Sequence, residues 1–315
     1  MIDIIIPAYN AHKTIGRALM SILRQLNRND IKVLIVDDGS DDTYDEIIKS
    51  FSSLLDIKVK RINNSGPGKA RQVGINSTEN EYIVFLDADD TLYNEYSILN
   101  LLSIISNSDL AQGKYIEKTE FGEKEMEPQY CYLHGKMYRR SIIEKNKLKF
   151  EYSTIKNGDI YEDSTFNQLY CLCCDNIATT NEFIYVYEYN ESSLTRKERK
   201  VSVNLYNFIK ATNWLIKEVE KRTFNKKEVS IAWDFCLAMY HCYFNYMLAP
   251  EECEFVFEDM SEIKKMYCKY IDYLLFEEKL AIYKIFNYDV IPIITINDFT
   301  NWNLLINIIF QVLVL

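Results

Sequence analysis

The feature that most constrains the fold is a repeated unit made of an apolar segment, a polar cluster at its end and a helical pattern. Apolar segments of this kind occupy 2–7, 32–36, 57–62 and 82–86. Short, nearly continuous apolar segments are typical of strands buried on both faces. Because they alternate with amphipathic helical spacing, they predict an α/β fold with a Rossmann-like, mostly parallel sheet covered on both faces.

The pattern changes twice further along the chain. It loosens over 95–195 into a mixture of helical and strand patterns, and beyond 200 it becomes helical and rich in aromatic residues. A length of 315 residues suits one large domain with a smaller appendage. We therefore predict a catalytic domain over 1–200 and an α-helical domain over 201–315, which would serve acceptor binding, oligomerisation or membrane contact.

Composition restricts the partners and the compartment. The formal net charge is -10, opposite in sign to that of proteins that grip a phosphate backbone, so nucleic acid is not expected as a partner. No apolar stretch reaches the roughly 18–20 residues of a spanning helix, and the N-terminus does not resemble a secretion signal. We expect a cytoplasmic protein. The apolar tail 304–315 packs internally in this interpretation, and the alternative is peripheral contact at the inner face of the membrane.

Polar clusters follow the four predicted strands at their carboxyl ends. In an open parallel sheet, ligands bind beyond these ends. Four polar clusters at four such positions are better explained by one shared cleft than by four unrelated loops. The clusters are 7–10 (Pro-Ala-Tyr-Asn), 37–42 (Asp-Asp-Gly-Ser-Asp-Asp), 64–71 (Asn-Ser-Gly-Pro-Gly-Lys-Ala-Arg) and 87–90 (Asp-Ala-Asp-Asp).

The first three clusters contain groups suited to a nucleotide. Tyr9 can stack on a nucleobase, and Asp38 can accept hydrogen bonds from a base or a ribose. Gly66 and Gly68 would let the backbone come close to a ligand, and Arg71 adds a fixed positive charge. Taken singly, each cluster is also ordinary turn chemistry.

The fourth cluster contains groups suited to a divalent cation. Asp87 and Asp89 project carboxylates from a tight turn, where they could hold Mg²⁺ or Mn²⁺ through one or two oxygens while substrate phosphates supply further ligands. A cation placed there would neutralise charge that develops on a diphosphate leaving group. The alternative for this turn is a cap of the next helix.

In this order and spacing, the clusters resemble the family 2 glycosyltransferases of GT-A fold. The resemblance is dense over about the first 100 residues and continues more thinly to about 196. It departs from the family pattern at Gln72, where the family generally has Asn. The motifs that carry it are 6–10 (Ile-Pro-Ala-Tyr-Asn), 36–40 (Val-Asp-Asp-Gly-Ser), 66–75 (Gly-Pro-Gly-Lys-Ala-Arg-Gln-Val-Gly-Ile) and 85–90 (Phe-Leu-Asp-Ala-Asp-Asp).

The resemblance implies a donor site and a metal site. Tyr9 and Asp38 would contact the donor base, usually uracil, and Arg71 would lie beside it. Asp87 would reach the ribose or the metal, and Asp89 would be the main protein ligand of a Mn²⁺ or Mg²⁺ cofactor. The full implied donor site is Pro7, Tyr9, Asp38, Gly66, Arg71, Asp87, Ala88 and Asp89.

A further segment, 161–166 (Tyr-Glu-Asp-Ser-Thr-Phe), resembles the Glu-Asp motif of the family at the start of a helix. Inverting transfer needs a general base that takes the proton of the acceptor hydroxyl. A carboxylate at a helix N-terminus is held rigidly, and the helix dipole favours its ionised form. We assign Asp163 as the base and Glu162 as its orienter or substitute. The alternative is that Asp163 is an N-cap.

Two weaker resemblances complete the predicted site. The segment 133–140 would line the donor-sugar or acceptor side through His134 and Lys136, although a lone histidine is more often a packed or surface residue. The segment 191–196 would close over the diphosphate through Ser193, Thr195 and Arg196. The alternative for the second segment is a solvated linker.

The resulting expectation is an inverting, metal-dependent transfer of a hexosyl or N-acetylhexosaminyl group from a nucleoside-diphosphate donor, a UDP-sugar by family resemblance, to an acceptor hydroxyl. The expected acceptor is a cell-surface glycan, a teichoic acid or a lipid-linked glycan, and a homo-oligomer through the C-terminal helices is a further expectation. Two alternatives compete: a sugar-phosphate nucleotidyltransferase and a catalytically inactive scaffold that binds nucleotide sugars.

Overall fold

The computed structural model describes residues 1–129, 132–150 and 161–190, together with seven residues between 211 and 222. The chain divides into two compact units, Met1–Lys197 and Glu198–Leu315. The second unit lies almost entirely outside the described residues. The helical character and the roles predicted for 201–315 therefore stay predictions.

The first part of the chain alternates strands and helices as its apolar pattern predicts. Each predicted strand boundary lies within one residue of the observed one, and a short 3₁₀ helix precedes the second strand. The elements are β1 (Ile2–Ala8), α1 (Ile15–Leu23), β2 (Ile31–Asp37), α2 (Asp45–Phe51), β3 (Asp56–Arg61), α3 (Pro67–Asn76) and β4 (Tyr82–Phe85).

The second part mixes shorter and longer elements. Within the described ranges, no helix is long and apolar enough to cross a membrane. The elements are β5 (Thr91–Leu92), α4 (Ser97–Ile105), β6 (Leu110–Thr119), β7 (Gly122–Met126), β8 (Lys136–Arg139), α5 (Arg140–Lys145), α6 (Glu162–Cys173) and β9 (Ile177–Tyr187).

The described strands form one sheet in the order β3-β2-β1-β4-β8-β6-β9-β5, with β7 paired to β6. Pairing within β1–β4 is parallel, so the carboxyl ends of these strands meet at one edge. Beyond β4 the pairing is antiparallel from β4 to β8 and from β8 to β6, and parallel again between β6 and β9. The predicted α/β fold with parallel pairing of the first four strands is confirmed, and the antiparallel strands come from the region where the sequence pattern loosens.

Apolar packing covers both faces of the inner strands. On one face Ile4, Ile6 and Ile35 join the larger core with Leu19 of α1 and Leu101 of α4. On the other face the smaller core contains Leu34, Val36 and Ala70 of α3. Burial on both faces explains why β1 is buried along its whole length.

The outer strand β3 differs from the prediction of strands covered on both faces. Most of it is exposed, because it lies at the edge of the sheet and has only β2 as a neighbour. Its sequence carries Lys58, Lys60 and Arg61 between the apolar positions. Charged side chains on an edge strand oppose pairing with other chains. The sequence of β3 therefore alternates charged and apolar residues, whereas the inner strands are nearly continuously apolar.

Candidate active site

The loops after β1 and β2 are tied together at the carboxyl edge of the sheet. The backbone N–H of Asp38 donates to the carbonyl of Ala8 at 2.8 Å, and the N–H of Asn10 donates to Ser40 Oγ at 3.0 Å. Asn10 Oδ1 in turn accepts from the N–H of Asp41 at 2.8 Å. Between these fixed points the side chain of Tyr9 stays half exposed, which leaves its ring accessible to a ligand.

Asp38 holds the start of α3. Its two carboxylate oxygens accept from the backbone N–H groups of Ser65 and Gly66, each at 2.8 Å. Gly66 has φ of +89°, in the region that favours glycine, and Pro67 then occupies the first helical position. The sequence did not predict this support of a neighbouring loop. The contact of Asp38 with a donor base stays a prediction.

Gly68 differs from its predicted use as a point of backbone approach to a ligand. A Cβ atom built on Gly68 would lie 2.7 Å from Cγ of Glu162. The missing side chain therefore makes room for α6, not for a substrate. This close approach brings the first turn of α6 against the first turn of α3.

Arg71 connects the two sides of the cleft. Its guanidinium donates to Oδ1 of Asp87 at 2.7 Å and to Oε1 of Glu162 at 2.8 Å. The side chains of Arg71 and Glu162 are each 6% exposed, while that of Asp87 is 28% exposed. The ion pairs thus join Asp87, two residues beyond the end of β4, to the Glu-Asp motif of α6.

The charges in this cluster alter one another. Burial alone would raise the pKa of Asp87, but the neighbouring Arg71 and His134 reverse the effect and lower it. Burial and the carboxylate of Asp163 raise the pKa of Glu162, against the opposing effect of Arg71. Burial also raises the pKa of Asp163 above its ordinary value, and Arg71 limits the rise.

Asp163 lies in the first turn of α6, behind a residue with unusual backbone geometry. Tyr161 has φ of +78° and occupies the N-cap position, and its own side chain makes no capping hydrogen bond. Asp163 is therefore the second residue of the helix and not its N-cap. Its Oδ1 accepts from the N–H of Ser164 at 2.7 Å, and its side chain is half-buried.

The acidic turn after β4 is held by β9 and the residues that follow it. Asp89 Oδ2 accepts from the Asn190 amide at 2.7 Å, and Asp90 Oδ2 accepts from the Tyr185 hydroxyl at 2.6 Å. Asp90 Oδ1 also accepts from the N–H of Glu188 at 2.8 Å. Burial and the charges of neighbouring carboxylates raise the pKa of Asp89 and, more strongly, of Asp90.

His134 lies next to this acidic turn inside an aromatic stack. Its ring stacks on Tyr185, Tyr187 and Tyr132 at centroid distances of 4.8, 5.1 and 5.2 Å. Burial lowers the pKa of His134 to about 4. One potential ligand atom from each of Asp87, Asp90 and His134 lies within 4.8 Å of the others, a grouping that could hold a metal ion.

The other predicted loop residues have different placements. Lys136 is buried in β8, and its Nζ donates to the carbonyls of Gln129 and Tyr132, so its position favours support of that loop over contact with an acceptor. The three predicted residues of the closing segment lie outside the described residues. They are Ser193, Thr195 and Arg196.

Some residues of the site were missed by sequence reasoning. Asp90 belongs to the motif 85–90, but the sequence assigned it no role. Tyr185 and Asn190 come from β9 and the segment after it. The bond from Tyr185 to Asp90 spans 95 positions, and that from Asn190 to Asp89 spans 101. The signal that could have found them is the polar and aromatic character of the end of β9.

A mixed α/β sheet with clustered carboxylates at the carboxyl edge of its parallel half is the arrangement of the GT-A class. Residues 3–158 match the family model described as Glycosyl transferase family 2. This part of the chain is therefore a family 2 glycosyltransferase domain.

Comparisons with curated proteins agree with this assignment. The chain is 27% identical to Glycosyltransferase GlyA of Streptococcus pneumoniae over 227 residues, which cover 62% of this chain and 31% of GlyA. It is 27% identical over 206 residues to TarS of Staphylococcus aureus, a poly(ribitol-phosphate) beta-N-acetylglucosaminyltransferase, with 59% of this chain and 35% of TarS covered. The chain thus spans about a third of the length of these two relatives.

A solved structure supports the fold independently. The crystal structure of S. aureus TarS 1-349 in complex with UDP-GlcNAc superimposes with a TM-score of 0.63 and covers 89% of this chain and 83% of that one. The sequence identity in this comparison is 19%. At this level, the likeness establishes the GT-A fold and not the substrate.

Proposed function

We propose that this protein transfers a sugar from a nucleoside-diphosphate donor to an acceptor hydroxyl and inverts the anomeric configuration. The observation that carries the proposal is the double ion pair of Arg71 with Asp87 and Glu162. It brings the acidic end of β4 and the first turn of α6 into one cleft. The carboxylate of Asp87, on the side proposed for the sugar donor, and the candidate base Asp163 can therefore act on the same bond between the anomeric carbon and the diphosphate.

The donor side of the proposal rests on the edge formed by β1, β2 and α3. The exposed ring of Tyr9 offers a stacking surface for a base, beside the loop that Asp38 fixes. A UDP-sugar is the proposed donor because TarS, which shares the fold, binds UDP-GlcNAc. Residues Pro7, Gly66 and Ala88 would then shape the backbone around the nucleotide.

A divalent cation fits the acidic turn. Asp90 is 1% exposed and makes no ion pair with any described residue, and a buried carboxylate without a countercharge is costly. Asp87 and Asp89 remain the proposed protein ligands of Mn²⁺ or Mg²⁺ in the complex with the donor. When bound, such an ion would neutralise negative charge on the diphosphate leaving group.

The proposed chemical step uses the carboxylates in the first turn of α6, on the other side of the cleft from the acidic turn. The oxygen of the acceptor hydroxyl forms a bond to the anomeric carbon while the bond from that carbon to the diphosphate oxygen breaks. The Asp163 carboxylate takes the hydroxyl proton, and the nucleoside diphosphate leaves with the bonding electron pair. Glu162 holds Arg71, and this pairing fixes the first turn of α6 against the cleft.

The proposed acceptor is a ribitol-phosphate or related surface polymer, by similarity to TarS. We also propose the predicted domain boundary near 200, with a helical second domain that contributes to acceptor binding, self-association or contact with the inner face of the membrane.

Donor binding is tested by titration calorimetry of the full chain with UDP, first with Mn²⁺ and then with EDTA. We expect binding that requires the ion and weakens at least tenfold in Asp89→Ala. Glu123→Gln, on the exposed strand β7, is the matched control and should bind as the wild type does. Absence of binding to UDP would contradict the donor, and GDP and dTDP would then be compared.

The reaction is tested with UDP-GlcNAc, Mn²⁺ and poly(ribitol phosphate). Proton NMR of the product is expected to show a β linkage from the α-configured donor, together with release of UDP. Retention of configuration would refute the assignment of Asp163 as base. Release of pyrophosphate from a nucleoside triphosphate and a sugar phosphate would instead support the nucleotidyltransferase alternative.

A further inference from the structure

We infer that His134 is a nitrogen ligand of the cation in this site and acts together with the carboxylates of Asp87 and Asp90. The inference deepens the proposed function, on which its catalytic meaning rests. Binding of the ion itself can be measured without any sugar donor. The Asp-x-Asp motif alone points to Asp87 and Asp89, so His134 and Asp90 add a part of the site that the motif does not contain.

The first observation is the state of the imidazole. Nδ1 of His134 is buried and has no hydrogen-bond partner in the described part of the chain. Buried polar atoms are almost always paired, and an orphaned one calls for an explanation such as an absent ion. The neutral ring has a lone pair on one nitrogen, which is the form in which histidine binds metals.

The second observation is charge. Asp90 is almost fully buried, and its partners in the described structure are the neutral hydroxyl of Tyr185 and the neutral N–H of Glu188. Asp87 is paired to Arg71, which also serves Glu162. The cluster therefore has an excess of negative charge, and a divalent cation between Asp87, Asp90 and His134 would balance it.

The third observation is that one side chain orients all three groups. The ring of Tyr185 stacks on His134, its hydroxyl donates to Asp90, and the same hydroxyl accepts from the backbone N–H of Asp87 at 3.3 Å. Such supporting contacts fix the direction of metal ligands and are characteristic of built metal sites. The potential ligand atoms lie within 4.8 Å of one another, close to the spacing of about 3–4.5 Å between donors that share one ion.

A nitrogen ligand predicts which ion is preferred. Mg²⁺ favours oxygen ligands and retains several waters, whereas imidazole suits transition metals. A site with two carboxylates and one imidazole should therefore bind Mn²⁺ more tightly than Mg²⁺. A site of Asp87 and Asp89 alone would discriminate less between the two ions.

The test uses the full chain and Mn²⁺ alone. Pulsed electron paramagnetic resonance of bound Mn²⁺ should show a ¹⁴N coupling that changes to the ¹⁵N pattern after labelling of histidine with ¹⁵N. His134→Gln should abolish the coupling, weaken Mn²⁺ roughly tenfold and weaken Mg²⁺ less than about threefold. The chain has three histidines, so His12→Gln and His241→Gln are matched controls that should retain the coupling.

The outcomes separate the inference from the proposed function. Absence of a nitrogen coupling in the labelled wild type would overturn the inference even if His134→Gln failed to fold, and sugar transfer could still be observed. A histidine coupling without sugar transfer under any donor would support the metal site and contradict the proposed function. A greater loss of Mn²⁺ affinity in Asp89→Asn than in Asp90→Asn, together with no nitrogen coupling, would mean that the ion is bound by Asp87 and Asp89 of the motif and not by His134 and Asp90.

Discussion

The two halves of the sheet contribute to the site in different ways. In the parallel half, β1–β4, each candidate residue follows its own strand, and the parallel pairing alone brings these residues to one edge. In the mixed half, β5–β9, groups from β9 and the loop before β8 support that edge through contacts between residues far apart in sequence. The parallel half offers the strand-end groups proposed to bind the donor, and the mixed half fixes their positions and charges and adds His134 and, in α6, the proposed base Asp163.

The largest expected effect falls on α6, the helix that lies between α5 and β9 in the chain. Asp163→Asn should lower kcat about 10²–10⁴-fold, because the amide cannot take the acceptor proton, while UDP affinity stays within about twofold. Single-turnover assays and UDP titration measure the two quantities. Asp175→Asn, just beyond the end of the same helix, should change neither. Unchanged turnover in Asp163→Asn would rule out Asp163 as the base.

The same carboxylate predicts a pH dependence. Burial raises the pKa of Asp163, and its base form is lost as the pH falls through that raised value. The acid limb of kcat should therefore lie above the ordinary aspartate value of about 3.9. Because Arg71 lowers this pKa, Arg71→Gln should move the limb to higher pH. A shift to lower pH would mean that another group governs the profile.

The next effect compares two buried arginines at different ends of the sheet. Arg71→Met leaves Asp87 and Glu162 without their cation, and Arg140→Met does the same to Asp3, whose carboxylate accepts from Arg140 at 3.0 Å. Each change should reduce the free energy of unfolding by about 3–5 kcal/mol, measured by urea denaturation. UDP binding should weaken in Arg71→Met alone. Equal weakening in both variants would contradict the separate roles.

The contrast between the halves also explains what the sequence could predict. Asp38 and Asp87 were identified because strand periodicity and the parallel arrangement place them without knowledge of any distant contact. Tyr185 could not be found this way, since its partner Asp90 is 95 positions away and the aromatic character of the end of β9 does not indicate which residue it contacts. The same limit applies to Gly68, whose missing side chain serves the side chain of Glu162 and not a ligand.

A smaller effect comes from two glycines of α3. A Cβ atom on Gly68 would meet Glu162, and one on Gly74 would meet Ile5 of β1. Gly68→Ala and Gly74→Ala should each cost about 1–3 kcal/mol of unfolding free energy through overpacking. Only Gly68→Ala should also reduce turnover, because it displaces the first turn of α6. Thermal unfolding and turnover assays on both variants test this, and full activity in Gly68→Ala would show that the helix contact is not needed for catalysis.

The smallest effect concerns the support that β9 gives to the acidic turn. Tyr185→Phe removes the hydroxyl that donates to Asp90 and accepts from Asp87, at a cost of about 1–2 kcal/mol in stability. Without this support the carboxylates are less well oriented, and we expect the Mn²⁺-dependent affinity for UDP to fall about tenfold. Tyr170→Phe is the control, since its buried hydroxyl donates to the Asp109 carbonyl at 2.6 Å and accepts from the Arg139 N–H at 2.8 Å. It should lose similar stability and keep full affinity. If the two variants bind UDP equally well, the mixed half supports only the fold, and the parallel half holds the ligand without its help.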